Sequence, residues 1–462
     1  RGARGLRALA HVLRGVLAGP SPAPLSDLCF SAATRRAHHE HRLALLATDD
    51  VADLATRLSS FASGNPAELG ASGRTLQAAD ARPVFVFTGM GPQWWAMGRE
   101  LYAQDALFRA TLERCDAIFQ RLSGWSLLEQ MLADEKSSNM ARADIAQPAN
   151  TFLQMGLLEM WRRAGIEPAA VIGHSAGEVA SAYAAGRFTL EQAMLVIYER
   201  SRIQAKAAGL GKMAAVGLSE EGARAAIRGR EALVSIAAIN GPNGVTLSGD
   251  AKAIEEIAAE LEARGVFQRI LKVEVPYHSP AMEGLKPELR RCLASLQPSA
   301  GHLPTYSTVT GGRVEGVSYD AEYWCDNIRE PTLFAKAAGQ MLKDGYRLFI
   351  ELGPTPCCWR PSRSAARRPA SRAASSPPCG GRSPSRRPSP RPWPSSTSRA
   401  SPSSGAASIR GARATRRCPP TPGSARSTGM SPRRPSRTAA ARMSTPCSGL
   451  ASPRPSPPGS AG

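Results

Sequence analysis

The chain has 462 residues, 42% of them hydrophobic, and a formal net charge of +20 at neutral pH. That length allows two or three domains and a sizeable buried core. The charge excludes less than it suggests, because residues 361–462 carry 19 Arg and no Lys, Asp or Glu; 58 basic side chains less 19 leaves 39 in residues 1–360, against 38 acidic ones. The body is near neutral, so no nucleic-acid partner is expected. Nine Cys are scattered without C-x-x-C spacing, which argues against a metal site and a disulfide framework and for free thiols in the cytoplasm. No apolar run approaches the roughly 20 residues of a membrane span, so no membrane partner is expected. The Arg-rich start lacks an initiator Met and a cleavage-site pattern, and the chain reads as a piece of a longer reading frame.

Residues 1–80 read as a small α/β unit. Leu6, Leu9, Leu13, Val16 and Leu17 fall on one helical face, residues 42–47 read as a strand, and Asp49 and Asp50 lead into a helix through Leu54 and Leu58. His38, His39 and His41 stand among charged residues and read as a solvated turn. The main domain begins near Pro83 with a short apolar strand, Val84–Phe87. A Gly-rich loop follows, Thr88-Gly89-Met90-Gly91-Pro92-Gln93-Trp94, which lacks the G-K-[ST] of a phosphate loop. Helices are expected around 106–122 and 125–133, then the segment Asp144-Ile145-Ala146-Gln147-Pro148-Ala149, then a helix to Arg163.

Ala169–Glu178 is the centre of the pattern. A short apolar run reaches Gly173, and an amphipathic helix pattern begins after Ser175. The G-x-S-x-G spacing suits a sharp strand-to-helix turn: small residues two before and two after the serine let the turn pack closely and project the hydroxyl. The N–H groups opening the next helix point to the same place and favour negative charge. The bare pattern also fits an ordinary strand-to-helix turn, so the surroundings decide. Strands alternating with helices imply a parallel, doubly wound sheet.

Residues 212–273 read as strands 212–217, 233–239, 245–248 and 266–273 with helices 220–227 and 250–264. The order βαββαβ predicts a ferredoxin-like subdomain inserted between the serine turn and Pro276-Tyr277-His278-Ser279. Strands 304–309 and 347–351 then complete the main sheet. Residues 357–462 contain almost only Arg, Pro, Ser, Ala, Gly and Thr, with one Ile (Ile409) and one Leu (Leu450) beyond residue 360. Such a stretch cannot bury enough apolar surface to offset its ordering entropy, so a disordered tail is expected, and it reads as a product of a shifted reading frame.

GHSAGE at 173–178, TGMGPQW at 88–94, DIAQPA at 144–149, YERSRIQ at 198–204, VPYHSPAME at 275–283, YWCDNIREP at 323–331 and FIELGP at 349–354 occur in one order. Together they resemble the malonyl-CoA:carrier-protein acyltransferase family, in the form built into multimodular polyketide synthases. LSDLCFSAATRRAHHEHRLAL, in residues 1–80, resembles the linker that precedes this domain and follows a ketosynthase. The resemblance covers about residues 20–356. It implies an α/β, hydrolase-like main domain over 81–356 with the ferredoxin-like insertion, and acyl transfer from acyl-CoA to the phosphopantetheine thiol of an acyl carrier protein, in polyketide or fatty acid biosynthesis. No cofactor of its own is implied.

By resemblance Ser175 is the nucleophile and His278 its base. Met90 and Ala176 supply oxyanion-hole N–H groups, Asn327 orients His278, and Arg200 holds a malonyl carboxylate through two parallel hydrogen bonds. Gln147 and Tyr277 line the acyl pocket. Met90 stands where the family loop usually has glutamine, and Val275-Pro276-Tyr277-His278 matches neither usual extender motif; Tyr277 and Ala176 lean toward malonyl over methylmalonyl. Two other readings are open. An α/β-hydrolase would need an acid between serine and histidine, where the only Asp is Asp250. A docking fragment with a dead acyltransferase would follow from the disturbed C-terminus.

Overall fold

In the computed structural model, residues 2–355 are described apart from 20–23, 47–49, 68, 69, 79 and 317. The tail expected over 357–462 lies outside them, as does Asp49.

Among the described residues there are eleven strands. In chain order they are β1 (His41–Leu45), β2 (Gly70–Arg74), β3 (Pro83–Phe87), β4 (Ala170–Gly173), β5 (Lys212–Val216) and β6 (Val234–Gly241). Then come β7 (Gly244–Gly249), β8 (Gln268–Ile270), β9 (Thr305–Ser307), β10 (Gly312–Arg313) and β11 (Leu348–Leu352). β1 and β2 form an antiparallel pair in the N-terminal unit. Its core is Ala10 and Leu17 of helix Ala3–Leu17 against Leu54, Leu58 and Phe61 of helix Val51–Ala62. Asp50 caps the second helix by accepting from the Ala52 and Asp53 N–H groups. Leu9 and Val16, expected on the buried face, are exposed; they lie at the edge of the stripe, and Ala10 takes the inner position.

The main sheet has the order β10-β9-β4-β3-β11. β11, β3, β4 and β9 run parallel, while β10 pairs antiparallel with β9, so the sheet is mixed rather than wholly parallel. Side chains of a strand alternate between faces, and here both faces are covered. Phe85, Phe87 and Val171 join a large core with helices Ala106–Ser123, Ala143–Arg163 and Leu190–Ala205. Val84, Val86, Ala170 and Ile172 face Phe334, Ala337 and Met341 of helix Phe334–Lys343. A strand buried on both faces has to be apolar throughout, which is why VFVF and AVI read as unbroken runs.

β5 to β8 form a second, antiparallel sheet of order β6-β7-β5-β8, with helices Glu220–Ala226 and Ala251–Ala263. Val216, Ile236 and Leu247 pack on Ile254, Ile257 and Leu261. The strand expected over 266–273 is shorter, since only Gln268–Ile270 pairs with β5. The free edge of β6 meets the main domain: Thr332 N–H donates to the Ala237 carbonyl, and Ile239 N–H donates to the Thr332 carbonyl, both at 2.9 Å. That stitch fixes the loop after helix Ala321–Arg329, from which one partner of the candidate site comes.

Candidate active site

Ser175 sits between β4 and helix Gly177–Ala184 with φ of 51°, a left-handed conformation that a non-glycine residue adopts at a cost. The turn is bound at both ends, His174 N–H donating to the Phe87 carbonyl and Gly177 N–H to the His174 carbonyl, each at 2.9 Å. The two glycines are required by contact. A Cβ on Gly177 would lie 2.3 Å from the Phe87 carbonyl oxygen, and one on Gly173 would lie 2.3 Å from the Glu178 nitrogen. Close backbone packing therefore drives the hydroxyl outward.

His278 also has a positive φ, 57°, and its Nε2 lies 2.8 Å from Ser175 Oγ. Its Nδ1 lies 2.8 Å from the Glu330 backbone carbonyl oxygen. A carbonyl can only accept, so Nδ1 carries the proton and Nε2 is free to accept one from the serine. Thr332 Oγ1 is 3.4 Å from the same Nε2. Burial, reinforced by the Arg200 charge, pulls the imidazole down to about 3, so it is neutral at physiological pH.

Asn327 does not orient His278. Its Oδ1 accepts from Arg200 Nε at 3.0 Å, and its Nδ2 donates to Glu178 Oε2 at 3.2 Å and to the Ser175 carbonyl at 3.4 Å. The backbone carbonyl of Glu330 has the place expected for the amide. The reason is geometric: Asn327 lies inside helix Ala321–Arg329 facing the core, whereas the loop after the helix faces the imidazole.

Arg200 is buried on helix Leu190–Ala205 and donates to four neutral oxygens. Nε reaches Asn327, Nη1 reaches Gln147 Oε1 and Gln204 Oε1 (the latter at 2.8 Å), and Nη2 reaches Ser175 Oγ at 3.0 Å. Four of the five N–H groups of a guanidinium are thus committed. Two parallel bonds to a carboxylate would require one of these partners to give way. Burial lowers the guanidinium to about 10, opposed by the neighbouring Tyr277 and Glu178, and it stays cationic at neutral pH. Gln147 is buried and donates to Gln204 Oε1 at 3.0 Å. Tyr277 is buried beside them; burial pushes its phenol up to about 12, with the Gln147 side chain working the other way.

Met90 follows β3 in the Gly-rich loop, and Ala176 is the residue before helix Gly177–Ala184. Among the described residues neither main-chain N–H donates to a protein acceptor. The loop is held by side chains of helix Ala143–Arg163. Asn150 donates to the Thr88 and Gly89 carbonyls at 3.1 and 3.2 Å, and Gln154 donates to the Thr88 carbonyl at 2.8 Å. The expected segment 144–149 lies inside this helix, Pro148 included, rather than before it. Asn150 and Gln154 are not among the expected site residues, although they follow Gln147 at spacings of three and seven. The same holds for Gln204, one turn beyond Arg200, and Glu178, three residues after the serine. His174 Nε2 lies 2.8 Å from Asn240 Oδ1 of β6, a second tie between the serine turn and the smaller sheet. Among the described residues no cluster of His, Cys, Asp or Glu is suited to a metal ion.

A left-handed serine at a strand-to-helix turn, an imidazole on its oxygen and an uncommitted amide at the helix start make up a geometry that suits acyl transfer. The family model described as acyl transferase domain matches residues 84–378, and one described as CurL-like, PKS C-terminal, matches residues 1–58. The chain is 37% identical over 349 residues to polyketide synthase GfsB of Streptomyces halstedii, covering 75% of this chain and 6% of that protein. It is 35% identical over 353 residues to erythronolide synthase EryA2 of Saccharopolyspora erythraea, covering 76% and 10%. The solved acyltransferase domain from module 8 of the salinomycin polyketide synthase matches with a TM-score of 0.72 at 34% identity, covering 77% of this chain and 84% of that one. The chain belongs to the acyl transferase domain family, in the form found in modular polyketide synthases. It spans about a tenth or less of the two polyketide synthases named.

Proposed function

We propose that this chain loads an extender acyl group, with malonyl favoured over methylmalonyl, from acyl-CoA onto the phosphopantetheine thiol of an acyl carrier protein. Ser175 attacks the thioester carbonyl while His278 takes its proton, CoA thiol leaves, and a seryl ester remains. The carrier thiol, deprotonated by His278, then attacks that ester and restores the serine. The Met90 and Ala176 N–H groups face the oxyanion; one such donor is typically worth about 3 kcal/mol. Arg200 binds the malonyl carboxylate, with Gln147 and Tyr277 beside it, and one of its amide partners yields as the carboxylate arrives. Acyl-CoA is the donor, no resident cofactor takes part, and a ketosynthase and other synthase domains are the neighbours.

The observation that carries this reading is the single oxygen on which two groups converge: Ser175 Oγ lies 2.8 Å from His278 Nε2 and 3.0 Å from Arg200 Nη2. A hydrolase needs no buried cation at that place. The test is release of CoA thiol from malonyl-CoA with and without a phosphopantetheine-bearing carrier protein. Release that depends on the carrier is expected. Equal release without it would make the protein a hydrolase, and no release would make it a docking fragment.

A further inference from the structure

Glu178 is a buried carboxylate that the acyl-transfer steps leave unused. It stands three residues after Ser175, and four hydrogen-bond donors converge on it. Thr308 N–H and Oγ1 reach Oε1 at 2.5 and 2.7 Å; Tyr323 Oη and Asn327 Nδ2 reach Oε2 at 2.5 and 3.2 Å. These come from the segment after β9 and from helix Ala321–Arg329. Burial holds its pKa above the ordinary carboxylate value, and the four hydrogen bonds offset only part of that rise.

On the far side of Asn327 lies the opposite charge. Arg200 is fully buried, yet every hydrogen-bond partner it has among the described residues is a neutral oxygen. An isolated buried cation is costly. The nearest compensation along this network is Glu178, reached through a single amide: Asn327 Nδ2 donates to Glu178 and Asn327 Oδ1 accepts from Arg200 Nε. An amide has one donating and one accepting end. A carboxylate on one side therefore dictates that the accepting end turns to the guanidinium.

We propose that Glu178 is a positioning residue for acyl-group selection: through Asn327 it holds the Arg200 guanidinium in place and supplies its buried counter-charge. This rests on Arg200 being the group that receives the acyl carboxylate. Turning the Asn327 amide would face its NH2 toward Nε, two donors with nothing between them. Arg200 would then lose its only bond at Nε and drift from Ser175 Oγ. Substrates bearing a carboxylate would suffer more than those without one.

The test is the ratio of kcat/KM for malonyl-CoA to that for acetyl-CoA, measured on the full 462-residue chain with carrier protein as acceptor. In Glu178→Gln the ratio is expected to fall about tenfold or more, the scale of one lost bond to a charged group. The exchange Glu178→Gln with Asn327→Asp is expected to recover most of it. In that pair the introduced glutamine amide donates to the introduced carboxylate, which accepts from Arg200 Nε, and Tyr323 can turn its hydroxyl to Ser307 Oγ, 2.6 Å away; only the long 3.4 Å bond to the Ser175 carbonyl is not restored. A structural role alone would show as lost thermal stability with the ratio unmoved. If Glu178→Gln does not fold, Asn327→Ala serves, since it leaves the other three bonds of Glu178 intact, and the same fall is expected. An unchanged ratio in a folded single variant, or no recovery in a folded exchange variant, overturns the proposal. Wild-type protein that does not prefer malonyl-CoA to acetyl-CoA would instead sink the reading of Arg200 on which it rests.

Discussion

The hydrogen bonds of His278 determine what this histidine can do. With Nδ1 held by a carbonyl and the ring neutralised by burial and by Arg200, it is a ready proton acceptor well below its ordinary range. The sign follows directly. A base whose pKa is depressed keeps its active, neutral form as pH falls through 6.5 and loses it only toward 3. The acid limb of kcat/KM is therefore expected below about pH 6, not at the ordinary imidazole value. A limb centred near 6.5 would contradict the assignment. The same shift makes the fold acid-sensitive, because the unfolded chain takes up a proton at His278 between about 6.5 and 3 that the folded one refuses. The midpoint of thermal unfolding should accordingly fall as pH drops through that window. Arg200→Ala should lower kcat/KM for malonyl-CoA about a hundredfold, the scale of a buried charge contact, and cost acetyl-CoA less; equal losses would refute its role. Tyr277→Ser should raise methylmalonyl use relative to malonyl. One methyl is worth only about 1–3 kcal/mol in such a pocket, so competition between the two CoA esters should show a partial shift.

The turn between β4 and helix Gly177–Ala184 was legible because its pattern is mechanical: the positions that must be small are small, and Cβ atoms there would strike Phe87 and Glu178 backbone. Gly177→Ala should consequently displace the serine and cut kcat by about a hundredfold, as an ångström of misplacement does. An active Gly177→Ala variant would mean the helix can retreat from β3. The helix around Pro148 was legible only in part. Proline removes one donor and disfavours a helix interior, yet Gln147, Asn150 and Gln154 on that helix each find buried partners, and this packing outweighs the local preference. β10, of two residues, has no periodicity to read and owes its pairing to β9. Asn327 was legible as a site residue but not in its task. The sequence carries no record of which way a helix turns an amide, or of a backbone carbonyl such as that of Glu330.

The molecule divides the work between its sheets. The main sheet presents Ser175, and the smaller one is tied to the serine turn through Asn240 and to the histidine's partners through Thr332. Both sheets thus meet at the Ser175–His278 contact. Residues 1–58 match a different family model from residues 84–378, in keeping with a chain that spans only a part of its longer relatives. The central claim is that the acyl group passes through a covalent ester on Ser175. Incubating the full chain with malonyl-CoA and measuring its intact mass tests this most directly. A malonyl adduct that disappears on adding carrier protein and never forms in Ser175→Ala is expected. An adduct that persists in Ser175→Ala, or carrier loading without any adduct, would contradict that claim.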